Sequence, residues 1–183
     1  MLKKIVVCIA LISCFLCFAD GFNYEALKNP PKEVDCFDWQ DGTSDLGWIP
    51  HSLTKIDAGK NGIFYCYPRI VRLSGKYKCQ IRIHSAINYP KEIMFKYITG
   101  KTFVVPVKSK GTEKHNYGIS FYVTCELSSK VFVTNFIKEK PSHIVLNIDS
   151  NKYELSFFDG WKKSFDAMKP FFKLDNEVQV KFQ

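Results

Sequence analysis

The chain has 183 residues, 46% of them hydrophobic and 15% aromatic, with a formal charge of +8. The basic residues, among them Lys108, Lys110, Lys114, Lys138 and Lys140, are scattered rather than run together, which argues against a nucleic-acid partner and for a solvated, mildly basic surface. Apart from the first residues, no apolar run is long enough to cross a membrane, which needs about 20 residues.

The chain opens with Lys3 and Lys4, then an unbroken apolar stretch from Ile5 to Phe18 and the small residue Ala19. A basic start, a short apolar run and a small residue at the cut predict a secretory signal peptide over residues 1–19, cleaved before Asp20. Leu11-Ile12-Ser13-Cys14 is also similar to a bacterial lipoprotein box, but the residues after Cys14 stay apolar and continue the leader. Loss of Lys3 and Lys4 takes the charge from +8 to +6, and loss of Cys8, Cys14 and Cys17 leaves Cys36, Cys66, Cys79 and Cys125. An even set of cysteines in an oxidising compartment predicts two disulfides, with three connectivities open. The expected protein is therefore secreted and extracellular, with no transmembrane segment and no lipid anchor.

Residues 20–60 are turn-rich, with Pro30-Pro31, Gly42, Gly47, Pro50 and Gly59. Within them, Glu33-Val34-Asp35-Cys36-Phe37-Asp38 resembles the Glu-x-Asp-x-x-Glu signature of retaining β-glucanases, whose paired carboxylates act as nucleophile and acid. In an extended strand Glu33 and Asp35 share a face and Asp38 takes the other, and Asp38 is shorter than the Glu the signature needs. A small glycosidase on Glu33 and Asp38 is thus the weaker reading, and the chain is expected not to be an enzyme. The acidic run lacks the closing Glu of a calcium loop, and His51, His84, His115 and His143 are dispersed; no metal and no cofactor is expected.

From residue 61 to 183 the chain reads as one β-rich unit. In Tyr77 to His84 the odd positions are apolar and the even ones polar, and Ile119 to Leu127 alternates the same way. Further strands are predicted at Ile63 to Tyr67, Ile93 to Ile98, Phe103 to Val107, Val131 to Phe136, Ile144 to Ile148, Tyr153 to Phe158 and Val178 to Phe182. Ser150-Asn151 and Asp159-Gly160 supply turns, with Trp161 to Phe165 returning from the second. Many short strands at near-even spacing imply an all-β, antiparallel β-sandwich or barrel.

Residues 118–136 (GISFYVTCELSSKVFVTNF), 143–165 (HIVLNIDSNKYELSFFDGWKKSF) and 171–182 (FFKLDNEVQVKF) resemble strand pairs of the galectin carbohydrate-recognition domain. The resemblance implies a jelly-roll sandwich and a glycan or glycoprotein ligand. Galectins carry a His, an Asn and an Arg at alternate positions of one strand; Tyr122, Thr124 and Glu126 stand there, and Asn135 is the counterpart of the next strand's Asn. The stacking Trp has no counterpart. An ionised Glu126 accepts but cannot donate to a sugar hydroxyl, so β-galactoside binding is expected to be weak or absent. The expected ligand-binding set is Tyr122, Thr124, Glu126 and Asn135, in a non-standard glycan site. A sugar-silent scaffold that binds a protein partner is the alternative.

Overall fold

A computed structural model describes residues 21–38, 46–116, 118–157 and 160–174. The expected signal peptide, the last predicted strand and Asp159 of the predicted turn lie outside these residues.

The described chain is mostly antiparallel β-strand in two sheets. The larger sheet contains β1 (Val34–Asp38), β2 (Leu46–Pro50), β3 (Thr54–Asp57), β4 (Ile63–Leu73), β5 (Lys76–Ser85), β8 (Ser109–His115) and β9 (Gly118–Leu127). Its order is β1-β2-β4-β5-β9-β8, with β3 also paired to β4. The smaller sheet runs β11-β10-β6-β7, from β6 (Pro90–Lys96), β7 (Thr102–Val105), β10 (His143–Ile148) and β11 (Asn151–Ser156).

The alternation in β5 does what a half-buried strand requires: Cys79, Ile81 and Ile83 are at most 1% exposed and join one hydrophobic cluster. Phe64, Cys66 and Ile70 of β4 and Val123 and Cys125 of β9 extend it, and Ile93, Phe95, Ile144 and Leu146 of the smaller sheet close it. Residues 20–60 are not an appendage. Three of their segments become β1 to β3, and β2 and β3 both pair with β4. Pro68 tolerates a position inside β4 because it falls between Ile63–Cys66, which faces β3, and Ile70–Val71, which faces β2; proline cannot donate to a ladder. Ser74 and Gly75, both with positive φ, make the two-residue turn that sets β4 against β5.

Two predicted strands are helices. Val131 to Phe136 lies in α2 (Ser129–Phe132) and the π-helical turn Val133–Lys138 that continues it. Ser128 Oγ accepts from the Val131 N–H and caps the start. Phe132 and Phe136, four apart, put both rings in the core, a 3.6-residue period hidden among β-branched neighbours. Likewise Trp161 to Phe165 does not return as a strand but forms α3 (Trp161–Asp166), where Trp161 and Phe165 stack with ring centroids 3.6 Å apart. A short α1 (Tyr24–Lys28) closes the other end, its Asn23 N–H bonded to Phe171 O at 2.7 Å.

The two expected disulfides are not seen: among the described residues no S–S bond joins Cys36, Cys66, Cys79 and Cys125. The register explains it. Cys66 pairs with Ile83 and Cys125 with Ile81, so they sit two strands apart, about 9.6 Å, beyond the roughly 7 Å a disulfide spans. Cys79 pairs with Leu127, which leaves Cys125 on a diagonal of about 7–8 Å. Cys36 is on β1, three strands from Cys79. Burial pushes the Cys66 thiol well above its ordinary value and the Cys125 thiol up to about 12.

Candidate functional site

The polar half of the β5 alternation faces away from the core, yet it is not open to water. Gln80, Arg82 and His84 are 5%, 8% and 8% exposed. Their cross-strand partners cover them: Gln80 is opposite Glu126, Arg82 opposite Thr124, and His84 opposite Tyr122 on β9; on β4 the same three face Arg69, Tyr67 and Tyr65. The outer face of the larger sheet is thus a packed polar layer.

Three of the four expected ligand residues, Tyr122, Thr124 and Glu126, do share this face, but each is already engaged or covered. Glu126 takes a hydrogen bond from Lys78 Nζ at 2.9 Å. Thr124 is 2% exposed and its Oγ1 is buried. The Arg82 guanidinium lies 4.0 Å over the Tyr122 ring. Asn135 is not with them. It sits in the π-helical turn, 7% exposed, with Nδ2 donating to Val131 O at 2.9 Å and its backbone carbonyl accepting from Tyr97 Oη at 2.7 Å. The galectin-like pairing that would have placed it beside β9 fails because the second strand is helical and β9 pairs with β5 and β8 instead.

The open part of the face lies further along, toward the β8–β9 hairpin. There a groove of about 520 Å³ is floored by Tyr65, Tyr67, His84, Glu113, His115 and Ser120, with Ile63 and Ile119 on its rims. β4 supplies the tyrosines, β5 His84, and β8 and β9 the remaining polar groups. Because β8 places Glu113 and His115 two apart, both side chains project to this face; Glu113 is directly opposite Ser120.

The floor is tied together. Tyr67 Oη is 3.1 Å from His84 Nε2, and the two rings stack with centroids 5.6 Å apart. His84 Nδ1 is 3.4 Å from Ser120 Oγ, which is 2.9 Å from His115 Nε2. Glu113 accepts from Arg82 Nη1 at 2.8 Å, and its second oxygen lies 3.9 Å from His84 Nδ1. Burial, opposed by Glu113 and reinforced by Arg82, holds the His84 imidazole down at about 4, so the ring is neutral at pH 7. Burial also raises the Tyr67 phenol and lowers Arg69 to about 10. At neutral pH the floor therefore offers a carboxylate, two tyrosine rings, a serine hydroxyl and a neutral imidazole: the means to stack on an apolar ring face and to hydrogen-bond hydroxyls.

Of the rival acidic set, the Asp38 side chain lies outside the described residues. Asp35 is exposed on β1, an edge strand, and its Oδ1 pairs with His51 Nε2 at 2.9 Å; Glu33 precedes the strand and is exposed. Among the described residues no group of three or more His, Cys, Asp or Glu side chains is placed to hold a metal ion, and no helix is long and apolar enough to cross a membrane.

Sequence reasoning missed Tyr65, Tyr67, His84, Glu113 and His115 as a group. His84 and Tyr67 were legible as outward positions of alternating strands. β8 was not, because Ser-Lys-Gly-Thr-Glu-Lys-His carries no apolar alternation. No protein-family model, curated protein or solved structure matches the chain.

Proposed function

We propose that this chain is a secreted carbohydrate-binding module, its two sheets closed as a galectin-like sandwich, which takes a saccharide in the groove of the larger sheet's outer face without cleaving it. The observation that carries this reading is the groove itself: Tyr65 and Tyr67 beside Glu113, Ser120 and His115 in one cavity of about 520 Å³. Saccharides need that combination, an aromatic wall for the C–H face and fixed acceptors and donors for the hydroxyls. Tyr122, Thr124 and Glu126 support the floor from beside the groove in this reading, and Asn135 has no part in it.

A glycan array on the secreted product, followed by calorimetry of the strongest saccharide with Tyr65→Ala and Glu113→Gln, tests it. Each variant should weaken binding by about tenfold or more. Binding indifferent to both changes, or no binding across the array, would overturn the assignment.

A second reading rests on the rims. Ile63 and Ile119 are 51% and 53% exposed, and paired exposed aliphatics favour a protein partner. A stoichiometric complex lost in Ile119→Lys and unmoved by excess saccharide would favour it.

A further inference from the structure

The whole chain is basic, with a formal charge of +8, and its composition alone favours an anionic ligand. The groove has the opposite sign. No Lys or Arg is among the described residues that line it, and Glu113 supplies the only carboxylate there. Lys110 and Lys114 alternate with Glu113 along β8 and so project to the other side of the strand, where Lys110 Nζ lies 5.0 Å from the Tyr89 ring centroid.

The ion pair of Glu113 does not cancel its charge toward the groove. Arg82 Nη1 donates to Glu113 Oε1 at 2.8 Å, but the arginine side chain is 9% exposed and the glutamate 39%. The pair is thus a dipole with its positive end buried in the polar layer and its negative end open. His84 Nδ1, 3.9 Å from Glu113 Oε2, is beyond hydrogen-bond reach, which leaves that oxygen to a ligand. Burial holds the His84 imidazole down at about 4, so it adds no positive charge at pH 7. Beside the carboxylate stand two electron-rich rings, Tyr67 stacked on His84 and Tyr65 directly across the β4–β5 ladder from it.

We propose that the groove selects a ligand carrying a primary ammonium group, seated on Oε2 of Glu113 against Tyr65 and Tyr67, so that its saccharide is one with a free, unacetylated amine. A neutral hydroxyl can also donate to Oε2, but an ammonium makes the stronger charge-assisted bond and is drawn to the tyrosine rings as well. A uronate or a sulfate brings a like charge against Oε2 and meets no cationic side chain among the described lining residues. An acetylated amine has lost its charge. The apolar part of the wall, Leu53, Ile63, Ala86 and Ile119, lowers the local dielectric and strengthens the contact.

The amine preference rests on the saccharide reading only for the identity of its carrier, and two probe series keep the two apart. Cyclohexylamine, cyclohexanol and cyclohexanecarboxylate share one ring and differ in charge; glucosamine, glucose and glucuronate repeat the series on a sugar. Titration of the nitrogen-15-labelled full protein, followed through the backbone amides of the groove residues, gives a Kd for each probe. The amine of each series should bind about tenfold more tightly than the neutral probe, with the carboxylate weakest. The field of the basic chain acts in the other direction, so bulk charge does not produce that order. Glu113→Gln, which keeps an acceptor for Arg82, should erase the advantage of the amine. Selective binding of cyclohexylamine without any of the sugars would keep the ammonium site and remove the saccharide reading. An order led by the carboxylate, equal binding of the three cyclohexyl probes, no groove binding by any probe, or an amine advantage that survives Glu113→Gln overturns the proposal.

Discussion

Arg82 lies above Tyr122, its guanidinium carbon 4.0 Å from the ring centroid, while the phenol end of the same ring lies over the bare backbone of Gly111 directly across the β8–β9 ladder. A cation over an aromatic face is worth about 0.5–2 kcal/mol, the more so when desolvated. Only glycine leaves room for the ring there: a Cβ at Gly111 would overlap the Tyr122 phenol. Phe37 covers Gly47 across the β1–β2 ladder in the same manner. Both are aromatic rings laid over strand glycines, a device that holds register.

Gly111→Ala should therefore destabilise the fold although β8 is an edge strand. The new methyl must displace Tyr122, and with it the stack under Arg82. Overpacking of this kind costs about 1–3 kcal/mol. Chemical denaturation should show that loss, and Tyr122→Ala should remove most of the penalty of a subsequent Gly111→Ala change. Equal stability of Gly111→Ala and the parent protein would contradict the stacked arrangement.

Thr124 tests whether the polar layer is structural or ligand-bearing. Its Oγ1 is buried and has no hydrogen-bond partner among the described residues, while its strand partner is Arg82. A buried hydroxyl without a partner pays for desolvation and gains nothing. Thr124→Val, which keeps the shape, should leave stability unchanged or raise it by about 1 kcal/mol, with saccharide affinity unaltered. A loss of binding in this variant, in a protein of full stability, would return Thr124 to the site.

Acidification should cost stability through His84. Its folded-state value is pulled from 6.5 to about 4 by burial first, with Arg82 adding to the effect and Glu113 opposing it. Between those values the unfolded chain binds a proton that the folded chain refuses, so stability falls as pH falls from about 6.5 to about 4 and levels off below. At about 1.4 kcal/mol per pH unit, the contribution is at most about 3.5 kcal/mol. Urea unfolding at pH 7 and pH 4.5 should show the drop in the parent protein and a smaller one in His84→Gln. Identical pH slopes in the two proteins would assign the acid sensitivity elsewhere.

The sequence carries the sheet core openly and hides the site. Strands β5 and β9 are legible because period-2 alternation there coincides with burial: Ile81, Ile83, Val123 and Cys125 are 0% exposed. β8 is illegible because an edge strand can be almost wholly polar, and Lys110 and Lys114 suit an edge that must not pair further. The helices were misread for a different reason. Val131, Val133 and Ile137 favour strands by propensity, but Phe132–Phe136 and Trp161–Phe165 are spaced for a helix, and the capping Ser128 decides. The groove is a product of register. No motif links Tyr67, His84, Glu113 and Ser120; only the pairing of four strands brings them together.

Phe136 should expose the importance of that helix. Its ring is 0% exposed and contacts Phe95, Phe103, Phe132, Trp161 and Phe165, so it joins the smaller sheet to both α2 and α3. Phe136→Ala should cost about 3–5 kcal/mol, the transfer of the ring plus the cavity left behind. Phe136→Leu should recover part of it. Tolerance of alanine at this position within about 0.5 kcal/mol, as at an exposed site, would contradict the packing of that ring.

The cysteines give the most direct check on the register. Cys36 is exposed, whereas Cys66, Cys79 and Cys125 are buried, and no two of the four stand within bridging distance by strand pairing. Alkylation of the folded protein should label Cys36 alone, and the three core thiols should react only after unfolding. Their reactivity is suppressed twice, by access and by the burial that raises the Cys66 and Cys125 thiols and so removes the reactive thiolate. Mass spectrometry of peptides from the purified, non-reduced protein should find all four as thiols. A Cys79–Cys125 bridge would require β5 and β9 to shift from the observed register, in which Cys79 faces Leu127 and Ile81 faces Cys125. A shift by two residues would bring the cysteines opposite one another while keeping the inward face inward, and it would move His84 away from Tyr122. Finding that bridge would thus overturn the outer-face groove along with the observed register.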